Sequence, residues 1–101
     1  MMRWFFVLVF FIPATALAGD ASALDAVRSE PRVKDAIITS SGVLYAGVWN
    51  DGTRRDGYAE YLCEVLMENG AEAKRVKVVD MQSVLRDSAL NWKVLGESRC
   101  R

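Results

Sequence analysis

Two kinds of hydrophobic pattern alternate along this chain, one with helical spacing and one with the two-residue period of a strand. The clearest helical pattern predicts a helix from about Arg54 to Asn69, because apolar side chains recur there three and four residues apart. The residues of this stripe are Tyr58, Leu62, Val65 and Leu66. Thr53 is predicted as the N-cap, with Asp56 completing a capping-box-like pair, and Gly70 fits the position just after the helix.

Three other segments are rich in β-branched or alternating apolar residues and are predicted as strands: Val33–Thr39, Val43–Trp49 and Lys74–Asp80. The turn residues 40–42 predict that the first two strands form an antiparallel hairpin. Alternation along the second strand separates its side chains into two faces. One face carries Leu44, Ala46 and Val48, and the other carries Val43, Tyr45, Gly47 and Trp49.

A shorter helical pattern runs from Asp20 to Glu30 and ends at Pro31, so the predicted order is helix, strand, strand, helix, strand. This order predicts a single small α+β domain with a three-stranded, mostly antiparallel sheet and both helices on one face. Residues 81–101 are predicted as an ordered tail. The apolar residues that would dock the tail are Trp92, Val94 and Leu95. For residues 81–88, both a continuing strand and a turn of helix fit the pattern.

The first 18 residues have the three parts of a secretory signal peptide. Arg3 is basic, Trp4–Ile12 is uncharged, and Ala16 and Ala18 occupy the positions that signal peptidase reads. An uncleaved anchor is the alternative, but a membrane span needs about 20 apolar residues. The uncharged run has nine and is followed by Pro13. We therefore expect residues 1–18 to be cleaved after Ala18, leaving a single domain, 19–101, in the periplasm or secreted.

Two cysteines follow this leader, Cys63 and Cys100. In a small exported domain an even number of cysteines favours a disulfide, and two cysteines allow one intramolecular pairing. Closing a loop of about 38 residues would stabilise the domain by about 4 kcal/mol in the chain-entropy model. A redox-active pair is the alternative, but catalytic dithiols typically stand as Cys-x-x-Cys at the start of a helix. A structural bridge is therefore favoured.

Charge and composition argue against several classes of function. Without the leader the chain has 12 Lys and Arg against 13 Asp and Glu, and this near-neutrality argues against a nucleic-acid partner. The chain has no histidine, which removes the usual general base and the commonest transition-metal ligand. We therefore predict no enzymatic activity, no cofactor and no metal site. The alternative is a cation site or a catalyst built on Asp56, Glu60 and Glu64, although a solvated helix face explains these carboxylates as well.

The element order, together with short local matches, resembles the BON domain of periplasmic and outer-membrane proteins. The matches are residues 31–36 before the first strand, Gly42-Val43 at the start of the second strand, and residues 76–79 in the third. The resemblance covers a core of about residues 20–80 and implies association with membranes or phospholipids. The two cysteines and the tail, residues 81–101, lie outside the family's pattern.

Three aromatic residues are the candidates for a partner surface: Tyr45, Trp49 and Trp92. The alternative is that the tail buries all three. A cluster of cations at 54–55 and 74–77 could bind an anionic ligand, although Asp51, Asp56 and Asp80 nearby favour ordinary ion pairs. The sequence thus predicts a non-enzymatic binding or adaptor domain for an unknown protein or envelope component. The alternative is a small exported inhibitor or accessory factor of an envelope enzyme or secretion machine.

Overall fold

The computed structural model of the protein describes residues 21–87 and 91–101. The predicted signal peptide lies outside the described residues. Within these ranges, seven elements follow one another. They are α1 (21–28), β1 (Asp35–Ile38), β2 (Val43–Val48), α2 (Asp56–Glu68), β3 (Arg75–Asp80), α3 (Met81–Arg86) and β4 (Val94–Arg99). The first five elements follow the predicted order.

The four strands form one mixed sheet in the order β1-β2-β3-β4. The predicted hairpin of β1 and β2 is confirmed as an antiparallel pair, with Ile38 opposite Leu44. The prediction of three mostly antiparallel strands is corrected in two respects. The chain forms a fourth strand, β4, which pairs antiparallel with β3, and the central pair of β2 and β3 is parallel. This pair is parallel because α2 carries the chain from the end of β2 back to the end of the sheet at which β2 began, as a crossover helix does. β3 therefore runs in the same direction as β2.

The core lies between one face of the sheet and the helices α1 and α2. Of the two predicted faces of β2, the one that carries Leu44, Ala46 and Val48 faces this core, since all three residues are buried. They belong to one apolar cluster with Val27 of α1 and Leu62 of α2, so both predicted helices pack on the same face. The opposite face carries Tyr45 and is partly covered by α3.

The predicted cap of helix α2 is correct at the C-terminal end and wrong at the N-terminal end. Its C-terminal end is as predicted, because Gly70 adopts φ +86° and the amide of Ala71 donates to the carbonyl of Leu66. The N-cap prediction is wrong. Arg55 holds that position without a side-chain cap, and the hydroxyl of Thr53 donates to Asp51 at 2.6 Å. Thr53 therefore stabilises the preceding turn and not the helix.

Residues 81–101 form a helix and a strand and not a simple tail. The Asp80 side chain accepts the amide proton of Gln82 at 3.1 Å and caps α3, which decides the segment that the sequence left open. Of the three residues predicted to dock this segment, Leu95 is buried and Trp92 is half-buried. Val94 is 43% exposed and does not dock.

The predicted disulfide between Cys63 and Cys100 is confirmed. Cys63 lies on α2 and is buried, while Cys100 directly follows β4, and their Cα atoms are 5.4 Å apart. The bridge joins the outermost strand β4 to the helix that packs over it. It therefore fixes the C-terminal end of the chain against the core.

Candidate functional site

The structure divides the three predicted surface aromatics between two places. Tyr45 and Trp92 meet edge to face, with ring centroids 5.4 Å apart and planes at 87°. Trp49 directly follows β2, is 47% exposed and lines a different cleft. The proposed surface is therefore two surfaces, each with its own tryptophan.

The first surface is a narrow groove between the sheet and α3, which we call the Tyr45–Trp92 groove. Trp92 is held in place because its indole N–H donates to the carbonyl of Asp87 at 2.5 Å. Gly47 forms part of the floor, where a Cβ atom would lie 2.6 Å from the Met81 sulfur. The remaining lining residues are Asp35, Ala36, Ile37, Val79 and Val84. Strand alternation explains why Ile37 and Tyr45 share this face, since they are register partners.

The size of this groove limits what it can hold. Its volume is about 40 Å³, whereas small-molecule sites usually measure about 300–1,000 Å³. It can accept the end of one apolar side chain but not a metabolite. Ile37 at its edge is 38% exposed and Leu85 of α3 is 69% exposed, so apolar surface continues beyond the groove.

Cations flank the groove on the same face of the sheet. The ammonium of Lys77 lies 5.8 Å from the centroid of the Tyr45 ring. The register places Arg75 and Arg99 opposite each other on this face, and Arg75 contacts Glu97 at 2.7 Å. The open face of the sheet is therefore mainly apolar around the groove, apart from Asp35, and mainly cationic at the other end.

The second surface is an open cleft of about 310 Å³ at the carboxyl end of β2, which we call the Trp49–Arg55 cleft. Three loop segments build it: the connection from α1 to β1, the end of β2, and the turn before α2. The residues that line it are Pro31, Arg32, Lys34, Val48, Trp49, Asp51 and Arg55. This position matches a general rule for open sheets with parallel strands, where ligands bind outside the carboxyl ends of the strands.

Arg55 is the unusual residue of this cleft, because it is only 8% exposed. Its Nη2 donates to the carbonyl of Trp49 at 3.2 Å and lies 3.4 Å from a carboxylate oxygen of Asp51. Its Nε is buried and has no hydrogen-bond partner among the described residues. The hydroxyl of Tyr58 is also buried, with no hydrogen-bond partner in the part of the chain that the structure describes, and burial raises the pKa of this phenol.

Sequence reasoning placed Arg55 in an ordinary surface ion pair. The pairs with Asp51 and Asp56 that this interpretation implied are present, with Arg55 contacting Asp51 and Arg54 contacting Asp56. Among the described residues Asp80 forms no ion pair and instead caps α3. What this interpretation missed is the burial of Arg55. No local pattern signals that burial, because it results from the packing of loops that are distant along the chain.

The predicted carboxylate stripe of α2 does not act as a unit. One oxygen of Asp56 accepts the amide proton of Glu97 at 3.0 Å and the other accepts from Arg54 at 2.7 Å. The first of these contacts is the main cause that lowers the pKa of Asp56. Glu60 and Glu64 are exposed. Within the described ranges, no group of three or more His, Cys, Asp or Glu side chains is placed to hold a metal ion.

Comparison with protein-family models, with curated proteins and with solved structures finds no match to this chain. The resemblance to the BON domain therefore stays a prediction. In the part of the chain that the structure describes, no helix is long and apolar enough to cross a membrane. Function is argued below from the geometry of the two surfaces.

Proposed function

We propose that this protein is an exported, non-enzymatic binding domain that recognises a partner protein through the Tyr45–Trp92 groove. The observation that carries the proposal is an aromatic pair lining an apolar groove on a half-covered sheet face. Aromatic side chains are enriched at protein interfaces, where they provide apolar contact area and few mobile torsions.

The chemistry of the partner segment follows from the groove and its surroundings. A volume of about 40 Å³ suits the end of one aliphatic side chain. Lys77 beside the Tyr45 ring, with Arg99 farther along the same face, favours carboxylates next to that side chain, since complementary charge directs docking. The carboxylate of Asp35, which lines the groove itself, is paired with Arg28 at 3.7 Å. The proposed partner therefore presents an aliphatic residue flanked by acidic residues.

Two observations support export, which is part of this proposal. The leader has the composition of a signal peptide, and the Cys63–Cys100 bridge is compatible with an oxidising compartment. N-terminal sequencing of the protein recovered from the periplasm or medium should start at Gly19. A cytoplasmic protein that retains Met1 would contradict export.

The groove is tested with a capped five-residue peptide that has a central leucine between two aspartates on each side. We expect a saturable change in the amide NMR signals of Ile37, Tyr45 and Trp92. The same peptide with serine at the centre is the control for the aliphatic contact. Equal binding of the two peptides, or no saturable change with the leucine peptide, would refute the proposed function.

Two tryptophan variants locate the binding. Trp92→Ala removes one wall of the groove and should weaken peptide binding about tenfold or more, as truncation of an aromatic contact residue commonly does. Trp49→Ala removes an exposed tryptophan of the other cleft and should leave peptide binding unchanged. A loss of equal size in both variants would place the contact elsewhere. Crosslinking of the two variants in envelope extract then separates an adaptor from the alternative, an inhibitor or accessory factor, by the identity of the partner.

A further inference from the structure

The Trp49–Arg55 cleft contains more hydrogen-bond donors and positive charge than the protein itself uses. Three cations line it, Arg32, Lys34 and Arg55, against one carboxylate, Asp51. Arg32 makes no ion pair within residues 21–87 and 91–101, and the ammonium of Lys34 reaches only the carbonyl of Pro31, at 3.4 Å. The cleft therefore carries net positive charge with little internal compensation.

Arg55 provides an independent observation that points to a ligand. A guanidinium has five N–H donors in a planar fork, and the buried Nε of Arg55 has no partner among the described residues. Leaving a buried donor unsatisfied is costly, so such a group in a native fold calls for an explanation. A bound acceptor in the cleft would add to the two contacts that this guanidinium already makes, with the Trp49 carbonyl and the Asp51 carboxylate.

The position of the cleft in the fold adds to the attraction for anions. Arg55 directly precedes α2, a helix of 13 residues, so the cleft lies at the positive end of the helix dipole. Asp51 offsets part of this field, since its carboxylate lies 3.4 Å from the Arg55 guanidinium, but Arg32 and Lys34 leave the cleft with a net positive charge. The same carboxylate also accepts the hydroxyl and the amide proton of Thr53. These bonds, with the hydroxyl bond as the largest cause, hold the pKa of Asp51 below its usual range.

The cleft also has an apolar side. Trp49 is 47% exposed at its edge, next to Pro31 and the buried end of β2 at Val48. The volume of about 310 Å³ is at the lower limit of small-molecule sites. Unlike the Tyr45–Trp92 groove, this cleft has room for a ring and a charged group together.

We propose that the Trp49–Arg55 cleft binds a small oxyanion, a carboxylate or a phosphate, that is carried on an aromatic or apolar group. The oxyanion lies among Arg32, Lys34 and Arg55, and the apolar group lies against Trp49. This inference does not depend on the proposed protein partner, because it concerns a separate surface of the domain.

The experiment titrates the disulfide-bonded protein, produced from its full sequence, with four probes and follows the amide and indole NMR signals. Phenylacetate and phenyl phosphate carry the two oxyanions on a ring, benzyl alcohol carries the ring without charge, and inorganic phosphate carries the charge without a ring. We expect saturable changes at Trp49 and Arg55 with at least one of the first two probes, and much weaker binding of the last two. Preference for one of the two ring-bearing oxyanions identifies the source of the anion.

A matched pair of cation variants tests the charge contribution. Arg32→Gln removes an exposed cation of the cleft and should weaken binding of the preferred probe about threefold or more, as expected for an exposed charge pair. Arg54→Gln removes a neighbouring exposed cation that does not line the cleft and should change binding little. Trp49→Ala should also weaken binding but should leave the leucine peptide of the groove unaffected.

Three results would overturn the inference. One is the absence of a saturable change with either aromatic oxyanion at 25 °C and low salt. Another is equal binding of benzyl alcohol, which would show that charge is irrelevant. The third is an equal loss in Arg32→Gln and Arg54→Gln, which would show a non-specific charge effect. These outcomes leave the groove experiment unaffected, so the two proposals fail separately.

Discussion

Position 96 has no room for a side chain, because the backbone at the start of α2 lies directly against β4. A Cβ atom on Gly96 would overlap the carbonyl carbon of Arg55 and the amide nitrogen of Asp56. The contact is between two backbones, so no side-chain rotation can relieve it. The same contact lets the amide of Arg55 donate to the carbonyl of Leu95 at 3.0 Å.

We predict that Gly96→Ala lowers the free energy of unfolding by about 1–3 kcal/mol or more, the usual cost of overpacking. Urea denaturation followed by circular dichroism measures it. Gly57→Ala is the matched control, because a Cβ atom at Gly57 would meet nothing within 4 Å. In helix α2 this control should be neutral or stabilising by up to about 1 kcal/mol. Equal stability of the two variants would show that the backbones do not approach closely.

Asp56 makes the stability of this contact between α2 and β4 depend on pH. Its pKa is lowered first by the amide proton of Glu97 and then by Arg54, so the folded protein holds the charged form better than the unfolded chain does. A carboxyl whose pKa is lower in the folded state stabilises the protein above its unfolded pKa, about 3.9. That stabilisation is lost as the pH falls through the lower, folded value.

We therefore expect the stability of the protein to decrease below about pH 4, and Asp56→Asn to reduce this dependence on pH. Thermal unfolding from pH 7 to pH 2 measures the effect in both proteins. Glu72→Gln is the control, because this exposed side chain makes no hydrogen bond or ion pair among the described residues. If Asp56→Asn and Glu72→Gln change the dependence on pH equally, the Asp56 contact is not its cause.

Among the elements, α3 depends on a few polar contacts more than on its own sequence. It has six residues, which is too short to be stable alone. Asp80 caps it, and the Ser83 hydroxyl donates to the carbonyl of Asp80 at 2.7 Å. The amide of Lys93 donates to the same hydroxyl at 3.0 Å, which ties the helix to the segment before β4. Asp80 and Ser83 therefore hold α3 in the position where it lines the Tyr45–Trp92 groove.

Two variants test the capping of two helices, the observed Asp80 cap of α3 and the Thr53 cap that the sequence suggested for α2. Asp80→Ala should lower the free energy of unfolding by about 1–2 kcal/mol, because it removes the cap of α3. Thr53→Ala should cost only a few tenths of a kcal/mol, the usual size of an exposed surface change. Urea titration of both variants measures the difference. A cost of about 1 kcal/mol or more for Thr53→Ala would show that Thr53 caps α2 after all. A cost for Asp80→Ala no larger than that of Thr53→Ala would show that the Asp80 contact does not stabilise α3.

At the scale of the whole molecule, the disulfide links the last strand of the sheet to the helix that packs on it. It joins α2 to the residue after β4 across a sequence separation of 37 residues. Residues 63–100 contain β3, α3 and β4, so the bridge encloses half of the sheet. A domain of this size has a net stability of only several kcal/mol, and the bridge is therefore a large part of it.

We predict that replacing Cys63 and Cys100 together by alanine lowers the free energy of unfolding by about 2–4 kcal/mol. Urea denaturation with and without dithiothreitol measures this. The reductant should destabilise the natural protein by a similar amount and should not affect the double variant. A natural protein that is indifferent to reductant while its bridge is demonstrably reduced would show that the bridge adds no stability.

Local patterns predicted the elements whose signal lies in neighbouring residues. The apolar stripe of α2, the alternation of β2 and the Gly70 terminus were all read correctly, because periodicity and glycine conformation are local properties. β4 was missed because Val94–Arg99 has little apolar alternation. It becomes a strand through pairing with β3, which no local pattern encodes.

In the candidate sites too, some features could be predicted from local sequence and others could not. Tyr45, Trp49 and Trp92 could be proposed from the sequence as surface aromatics, with Tyr45 and Trp49 on one strand face, but the contact between Tyr45 and Trp92 depends on how the chain packs beyond β3. The burial of Arg55 could not be predicted, because Arg is rarely buried and nothing beside it in the chain signals the cleft.

The sequence by itself determined the helices α1 and α2, the β1–β2 hairpin, the strand β3 and the pairing of the two cysteines. These follow from periodicity, turn residues and the single intramolecular pairing that two cysteines allow. The tertiary structure alone decided the parallel pairing of β2 with β3, the recruitment of β4, and the separation of Trp49 from Tyr45 and Trp92. The physical reason is that these features depend on which distant segments pack together, and their free energy comes from contacts that no local stretch of sequence contains.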